Sequence, residues 1–359
     1  MNIISDFNRD VCHNKPDSGA YEWWYFDALS QDGKFSLVII FYEGIPFSPR
    51  YNGQLAASQR KPLAEAFPAI SISIYEDCKP IYYSISEFRK EECSFSENEP
   101  FVQIGNHTMI GLKTDTGLEY ELLLDEVLPG GDAIGGHLSF KGMPLKADLT
   151  PDKTEPNQGH FWNLIQPRAD VRSELKITNA LKNETRELSF SGCGYHDHNL
   201  GNEPMKNEFD DWYWGRIHFP SATFVYYVMN RKDQSQYKSW LINPENKLII
   251  AQPELTSRTD YSKNPFLLSY AKKLTFAWDE GSIVIDQSRR VDSGPFYLRF
   301  LSEASLNNSE KRLGITEYIR PDRIHHKMYW PLVNMRYRYT AAEKPHWVQK
   351  SPMMYRWTW

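Results

Sequence analysis

Short runs of alternating apolar and polar residues, separated by turn-forming residues, constrain the fold of this chain more than any other feature. Residues 21–28 and 35–42 are rich in aromatic and β-branched side chains and flank Ser30-Gln31-Asp32-Gly33, whose Asp-Gly pair is typical of a tight hairpin. Similar runs recur at 70–75, 81–85, 101–104, 108–112 and 118–124. Short strands at such spacing are typical of antiparallel sandwiches and barrels, so we predict an all-β protein.

The length of the chain and a polar break near its middle predict two domains. A chain of 359 residues exceeds the size at which a single core usually stops growing. The stretch 201–211 is polar and contains Pro204, and the strand pattern resumes at 212–219. We therefore predict an N-terminal domain of residues 1–204 and a C-terminal domain of residues 205–359. The alternation at 353–359 predicts a last strand that closes a sheet.

Charge and cysteine content argue against several classes of function. The formal net charge is -5, and the basic residues are scattered, which leaves no stripe for a phosphate backbone and predicts no nucleic-acid partner. Cysteines lie at 12, 78, 93 and 193, too far apart for a Cys-x-x-Cys pair, which favours reduced thiols. The chain has no stretch of about eighteen apolar residues and no secretory pattern at its start, so we predict a soluble cytoplasmic protein.

The segment Gly194-Tyr195-His196-Asp197-His198-Asn199 carries the densest group of proton-transferring side chains. In extended backbone alternate side chains share a face, so Tyr195, Asp197 and Asn199 point one way and the two histidines point the other. The segment therefore presents an acid flanked by polar groups on one face and a histidine pair on the opposite face.

Aromatic residues make up 14% of the chain, with 11 Trp and 21 Tyr. Such rings suit a large apolar ligand, although they also suit a β-rich core. On the first predicted strand, Glu22 and Trp24 share one face, whereas Trp23, Tyr25 and Asp27 share the other. On the strand after the break, Trp212, Trp214, Arg216 and His218 share a face. Each strand can therefore contribute one set of rings to a core and another to a cavity.

With these motifs identified, the chain resembles the hydroxyneurosporene synthase (carotenoid 1,2-hydratase) family, which includes related hydratases and cyclases. The matching segments follow the family order: Glu22-Trp23-Trp24-Tyr25-Phe26-Asp27, residues 194–199, Trp212-Tyr213-Trp214-Gly215-Arg216 and Gly314-Ile315-Thr316-Glu317-Tyr318. The resemblance implies two lipocalin-like β-barrel domains packed together. It also implies an enzyme without a cofactor that hydrates or cyclises alkenes of an isoprenoid or polyene-type substrate.

For this chemistry, Asp197 is the candidate proton donor. An isolated alkene is a weak base, so it needs a strong acid placed against it. Burial among rings would favour the protonated carboxyl, while Tyr195, His196 and His198 would stabilise the carboxylate left behind. The alternative is structural, with Asp197 accepting backbone amides in a glycine-rich bend.

Glu22 is the candidate base for the attacking water, because a carboxylate among aromatic residues is rarely placed by packing alone. The alternative is a buried ion pair between Glu22 and Arg216 that joins the domains. A carbocation next to a ring gains roughly 0.5–2 kcal/mol per contact. Candidate substrate-binding residues are Trp24, Tyr25, Trp212, Trp214, Arg216 and Glu317.

Two other classes of function stay open on the sequence. One is a noncatalytic, lipocalin-like carrier that only binds a lipophilic small molecule. The other is a metal-dependent enzyme in which His196 and His198 bind the ion with Glu317 or His218. For the favoured function we expect a hydrophobic small-molecule substrate, no cofactor and no metal. Peripheral contact with a membrane is left open as a route for the substrate, and the sequence leaves the oligomeric state undetermined.

Overall fold

The structure, a computed structural model, describes residues 2–57, 61–145, 149, 159–231, 234–308 and 311–359. Within them the strands form a 13-stranded sheet and a 10-stranded sheet. Neighbouring strands are antiparallel except for two pairs, β1 with β11 and β23 with β5, as numbered below.

The strands of the first sheet are β1 (Asn2–Ile4), β2 (Tyr21–Ser30), β3 (Phe35–Glu43), β4 (Ala69–Glu76), β5 (Lys79–Glu87), β6 (Cys93–Phe95), β7 (Phe101–Ile104), β8 (His107–Thr114), β9 (Gly117–Val127), β10 (Ala133–Gly142), β11 (Phe161–Asn179), β12 (Glu184–Gly201) and β23 (Tyr337–Tyr339). The strands of the second sheet are β13 (Asp211–His218), β14 (Thr223–Arg231), β15 (Gln234–Ile242), β16 (Leu248–Ala251), β17 (Glu254–Lys263), β18 (Ser269–Trp278), β19 (Gly281–Asp286), β20 (Arg290–Ser293), β21 (Tyr297–Leu306) and β22 (Lys311–Ile319). The α-helices are α1 (Pro49–Ala56), α2 (Met205–Glu208), α3 (Trp330–Arg336) and α4 (Pro352–Arg356). None of the described helices combines the length and apolarity that crossing a bilayer would require.

The first predicted hairpin is confirmed. Strands β2 and β3 pair antiparallel from Glu22 opposite Glu43 to Leu29 opposite Ser36. In the connecting turn Gly33 has a φ of 71°, which is in the left-handed region that glycine enters without strain. The Asp32 carboxylate accepts the Lys34 backbone N–H at 3.0 Å and closes the turn.

Three apolar clusters show how the sheets pack. One is made of first-sheet residues, including Phe26 and Leu138, together with Tyr355. Another is made of second-sheet and neighbouring residues, including Phe224 and Phe276. The third combines rings from both sheets, among them Tyr25 and Trp214. Each sheet therefore curls around its own core, and the two packed halves share a third core between them. The predicted all-β architecture is confirmed.

The segment after β22 returns to the first sheet. Strand β23 pairs with β5, and the Tyr355 hydroxyl donates to the Arg336 carbonyl at 3.0 Å. The strand predicted at 353–359 is wrong, because α4 occupies most of this stretch. Ser351 caps the helix by accepting the Met354 N–H, and Pro352 occupies its first turn. The domain boundary at residues 204 and 205 stays a prediction.

Candidate active site

Strands β2 and β12 lie side by side and position the central motif. They pair antiparallel, with Asp197 opposite Tyr25 and His198 opposite Trp24. Gly194 permits the close approach, because a Cβ there would lie 2.5 Å from the Val171 Cγ2 and 2.6 Å from the Asp27 carbonyl oxygen. Because side chains alternate, one face of this pair points into the core of the first sheet and the other points toward the second sheet.

A cavity of about 620 Å³ lies between the two sheets. Its walls are rich in aromatic side chains and come from both halves of the chain and from the C-terminal segment. The lining rings include Trp23, Tyr25, Tyr42, Phe47, Trp212, Trp214, Tyr227, Phe296 and Tyr297. An apolar pocket with few polar groups is the usual form of a site for a lipophilic small molecule.

Asp197 is one of the few acidic side chains that line the cavity, and it is 3% exposed. Its Oδ2 accepts the Trp162 indole N–H and the Tyr195 hydroxyl, both at 2.7 Å. Its Oδ1 accepts the Asn199 side-chain amide at 2.8 Å. All of these donors are side chains, so the described contacts do not support a role for Asp197 in capping a backbone turn.

The environment of Asp197 raises the pKa of its carboxyl to about 7. Burial is the largest cause, because a low dielectric disfavours the charged form. The hydrogen bonds from Tyr195 and Trp162 act in the opposite direction. The negative charges of Glu317 and Asp27 raise the pKa further. Near pH 7 the carboxyl is therefore divided between its acid and its carboxylate forms.

A second layer of hydrogen bonds orients Asn199. The Asn199 Oδ1 lies 3.1 Å from the Nε2 of His160, and the Tyr21 hydroxyl lies 3.0 Å from the His160 Nδ1. Burial lowers the pKa of His160 to about 3, so the ring is neutral. Since Asn199 donates to Asp197 with its amide nitrogen, its oxygen must accept from His160. The proton of His160 is accordingly on Nε2, and Tyr21 donates to Nδ1.

Glu317 forms a second polar group on the cavity wall. Its Oε1 accepts the Arg299 Nε–H at 2.9 Å and the Tyr25 hydroxyl at 3.3 Å. Arg299 also donates to the Tyr75 hydroxyl at 3.1 Å. Asp197 is therefore held by neutral donors, whereas Glu317 is held by the Arg299 guanidinium, as the third cavity carboxyl, Asp292, is held by Arg336.

His196 and His198 lie on the opposite face of β12 and do not contact Asp197. His196 Nε2 lies 3.0 Å from Asp10, and its ring stacks on Phe26 at 3.9 Å. His198 lies 2.9 Å from Glu22 and 3.2 Å from Asp10. The expectation that the two histidines tune Asp197 directly is wrong, because strand alternation turns them into the core of the first sheet.

Glu22 also lies on this inner face, away from the cavity. It pairs with Lys15, His198 and His13, the last at 2.7 Å. Burial alone would raise the pKa of Glu22, but these positive and hydrogen-bonding partners lower it well below its usual range. The residue is therefore a buried carboxylate in an ionic network, a position that does not suit a base for cavity water.

Two of the remaining candidates differ from the sequence prediction in their contacts. Trp24 stacks on His198 at 4.5 Å inside the first core and does not line the cavity. Arg216 pairs with Asp27 and not with Glu22, and its Nε–H donates to Asp27 at 2.7 Å. Both partners are fully buried, and this ion pair joins the two sheets because Asp27 is on β2 and Arg216 is on β13. By contrast, Tyr25, Trp212, Trp214 and Glu317 line the cavity, and their role in substrate binding stays a prediction.

The residues expected to bind a metal do not come together around His196 and His198. Glu317 lies on the cavity side, and His218 contacts the Thr223 hydroxyl and the Gly194 carbonyl. Ligand-type atoms do converge in two overlapping groups, each within 4.8 Å: His13, Glu22 and His198, and Cys12, Glu22 and Glu43. However, the Lys15 ammonium binds Glu22 and Glu43 there. Both carboxylates already hold a cation, so this donor set fits an ionic network better than a metal.

Two residues that contact the candidate acid and the second carboxyl were missed by the sequence analysis. Trp162 is on β11 and reaches Asp197 across the strand pair, and Arg299 is on β21 and holds Glu317. For Arg299 a signal was present, because an arginine in the apolar run 296–301 needs a buried partner. For Trp162 only its place in the strand next to the motif could have indicated the contact.

Comparison with known proteins connects this chain to one family. Residues 39–344 match the family model described as Carotenoid hydratase CrtC. The chain is 29% identical over 345 residues to a hydroxyneurosporene dehydrogenase of Chlorobaculum tepidum, an alignment that covers 89% of this chain and 88% of that protein. It is 28% identical over 210 residues to an acyclic carotenoid 1,2-hydratase of Thiocapsa roseopersicina, covering 58% of this chain and 47% of that enzyme. It is 32% identical over 234 residues to a quinolone epoxide rearrangement protein of Emericella nidulans, covering 64% and 60%.

Solved structures share the fold. The crystal structure of CghA with Sch210972 has a TM-score of 0.56 and 13% identity, and covers 88% of this chain and 98% of that one. A putative AttH from Nitrosomonas europaea has a TM-score of 0.58 and 13% identity, and covers 88% and 96%. At this identity the likeness concerns the fold alone, and it confirms the lipocalin-like arrangement of two curled sheets.

Proposed function

The chain belongs to the carotenoid hydratase CrtC family, and from this premise we propose that it protonates a carbon–carbon double bond of a hydrophobic polyene-type substrate, which is then hydrated or cyclised. The observation that carries the proposal is the carboxyl of Asp197, whose pKa is raised to about 7, on the wall of an aromatic cavity. The site draws on both predicted halves, 1–204 and 205–359, since Asp197 comes from the first and Trp214 from the second. The cytoplasmic location stays a prediction.

In the first step Asp197 gives its proton to an alkene carbon. Its Oδ2 already accepts two hydrogen bonds, whereas Oδ1 accepts one, so Oδ1 has a free position for the acidic proton. After transfer the three donors Trp162, Tyr195 and Asn199 stabilise the carboxylate. They are in place before the reaction, so they need no reorganisation when the charge forms.

The cation that results is stabilised by the surrounding rings. Trp214 lies 4.9 Å from the Tyr25 ring and 5.3 Å from the Tyr195 ring, measured between centroids. Tyr227 packs 5.1 Å from Trp162 on the side of the other donor. Two or three cation–π contacts of roughly 0.5–2 kcal/mol each lower the energy of the carbocation without offering it a nucleophile.

In hydration, water adds to the cation and loses one proton, which returns to the Asp197 carboxylate and completes the cycle. Asp197 suits this role because a base works best when its pKa lies near the working pH, whereas the carboxylate of Glu317 is already bound to the Arg299 guanidinium. Glu317 and the Tyr25 hydroxyl instead offer hydrogen bonds that hold the water. In cyclisation a second double bond of the substrate attacks the cation in place of water, and the ring cation that forms loses a proton to the Asp197 carboxylate, which restores the acid.

The experiment is to incubate the protein with an acyclic polyene in heavy-oxygen water and to follow product mass. We expect a product that gains one labelled water. A rearranged product of unchanged mass would assign cyclisation instead of hydration. If the polyene were bound, as measured by tryptophan quenching, but recovered unchanged, the carrier function would replace the proposal.

A further inference from the structure

The opening of the cavity is surrounded by exposed apolar side chains. Leu332, Trp347, Met354 and Trp357 line the cavity and are 39%, 61%, 36% and 82% exposed. A side chain that both lines a cavity and faces solvent lies at its opening. The surfaces of soluble proteins rarely group large apolar residues in this way, and such patches commonly mark interaction sites. We call this group of four residues the rim.

The rim is held firmly by the rest of the fold. The Gln349 side chain donates to the Tyr337 carbonyl at 2.9 Å, which fixes the 3-10 turn Trp347–Lys350 against β23. The Trp330 indole donates to the Ile324 carbonyl at 3.1 Å and anchors the start of α3. The apolar side chains are therefore presented outward by an ordered scaffold.

The segment that carries the rim is strongly basic. Residues 320–359 contain eight Lys or Arg and two Asp or Glu, a net charge of +6, while the whole chain carries -5. The remainder of the chain therefore carries a net charge of -11. Three of the arginines in this segment pair with carboxylates from the rest of the chain, so a net charge of +3 remains on the segment once these pairs are counted.

Part of this positive charge is free to meet a partner. Lys327, Lys344 and Lys350 are exposed and have no carboxylate partner among the residues that the structure describes. Lys327 lies just before α3, and Lys350 ends the turn that contains Trp347. Arg290, on the cavity wall itself, is also exposed. Basic groups therefore accompany the rim along the chain.

We propose that the rim docks on an anionic lipid bilayer and opens the cavity toward the membrane. Tryptophan favours the membrane interface, and lysines near the surface are attracted by anionic headgroups. An acidic protein would satisfy the lysines but would not account for exposed Trp and Met at a cavity mouth. The use of this contact for uptake of a lipophilic substrate rests on the proposed function, but the docking itself does not.

The test is flotation of the protein, without substrate, with vesicles of equal parts phosphatidylglycerol and phosphatidylcholine and with vesicles of phosphatidylcholine alone. We expect tighter binding to the anionic vesicles and a loss of binding as salt is raised. Replacing Lys327, Lys344 and Lys350 together by Gln should weaken binding on the order of a hundredfold, from about fivefold per charge. Trp357→Ser should weaken binding to both kinds of vesicle.

The matched control replaces three exposed lysines away from the opening, Lys113, Lys176 and Lys182, by Gln. It should bind anionic vesicles as the wild type does to within about the effect of one charge. Equal loss in the two triple variants would overturn the proposal, since only net charge would then matter. Failure of the wild type to float with anionic vesicles would also overturn it.

Turnover is measured separately, with the polyene supplied in detergent micelles. There the variant lacking Lys327, Lys344 and Lys350 should match the wild type, because these lysines do not line the cavity. A protein that binds vesicles without turning over any polyene supports the docking surface and removes the proposed function. A protein that turns over polyene without binding vesicles supports the proposed function and removes the docking surface.

Discussion

Replacing Asp197 by Asn removes one proton donor and changes little else in the cavity. The amide keeps the size of the carboxyl and can still accept from Trp162 and Tyr195, but it cannot give a proton to an alkene. Positioned general acids contribute about 100- to 10,000-fold to rate. We therefore expect turnover to fall by at least about 100-fold, equivalent to about 3 kcal/mol of activation free energy.

The stability of this variant follows from the raised pKa. The folded protein holds a proton on Asp197 up to a pKa of about 7, whereas the unfolded chain releases it near 3.8. Folded molecules thus bind more protons between these values, and the free energy of unfolding falls as pH rises through this window. This difference in the pKa of Asp197 between the folded and unfolded chain lowers the free energy of unfolding by about 4 kcal/mol once the pH passes 7. Asn avoids this loss but places its amide nitrogen against that of Asn199, at a cost of about 1–3 kcal/mol.

Denaturant unfolding and turnover together test the reasoning. At about pH 4, where the wild type has lost little of this stability, the Asn variant should be less stable than the wild type, and at about pH 8 it should be more stable. Product is quantified in the same preparations, with tryptophan quenching to confirm that the polyene still binds. Turnover within tenfold of the wild type would refute the acid role. Destabilisation at both pH values would identify a structural carboxylate instead.

Three further perturbations follow from the same geometry. Turnover should fall about tenfold per pH unit above about pH 7, where Asp197 loses its proton; a flat profile of kcat/KM to about pH 9 would contradict this. Glu22→Gln should cost about 3–5 kcal/mol of stability, seen as a lower Tm, because it leaves Lys15 without one of its carboxylates. Because the pKa of Glu22 is lowered, the stability that its carboxylate contributes is lost as the pH falls below the ordinary pKa of a glutamate. Turnover per folded molecule should be retained, and its loss would restore Glu22 as the base. Arg216→Met should cost about 3–5 kcal/mol by leaving Asp27 buried without its cation, and an unchanged Tm would argue that the pair does not hold the sheets together.

Strand alternation predicted the faces of the site correctly. The period of two separated Tyr195, Asp197 and Asn199 from His196 and His198, and it separated Glu22 and Trp24 from Trp23, Tyr25 and Asp27. The structure has both divisions. The same alternation should have excluded the two histidines and Glu22 from the cavity. The predicted roles of the two histidines rested on proximity to Asp197 in sequence, whereas the direction of their side chains places them in the core of the first sheet.

Other contacts depend on pairings that no local pattern encodes. Asp10 binds His196 from 186 residues away, and Lys15 reaches Glu22 and Glu43 from a polar lead-in without strand character. The return of β23 to β5 likewise joins distant segments. The helix at 352–356 was different, because Ser351 and Pro352 are a start signal that the apolar alternation obscured.

Transfer of a proton from the enzyme to substrate carbon is most directly measured by running the reaction in deuterium oxide. Each product molecule should carry one carbon-bound deuterium that does not exchange with solvent, whether the cation is then hydrated or cyclised. Deuterium should enter through Asp197, so the Asn variant should give no labelled product. Product formed by the wild type without carbon-bound deuterium would contradict the protonation of a double bond.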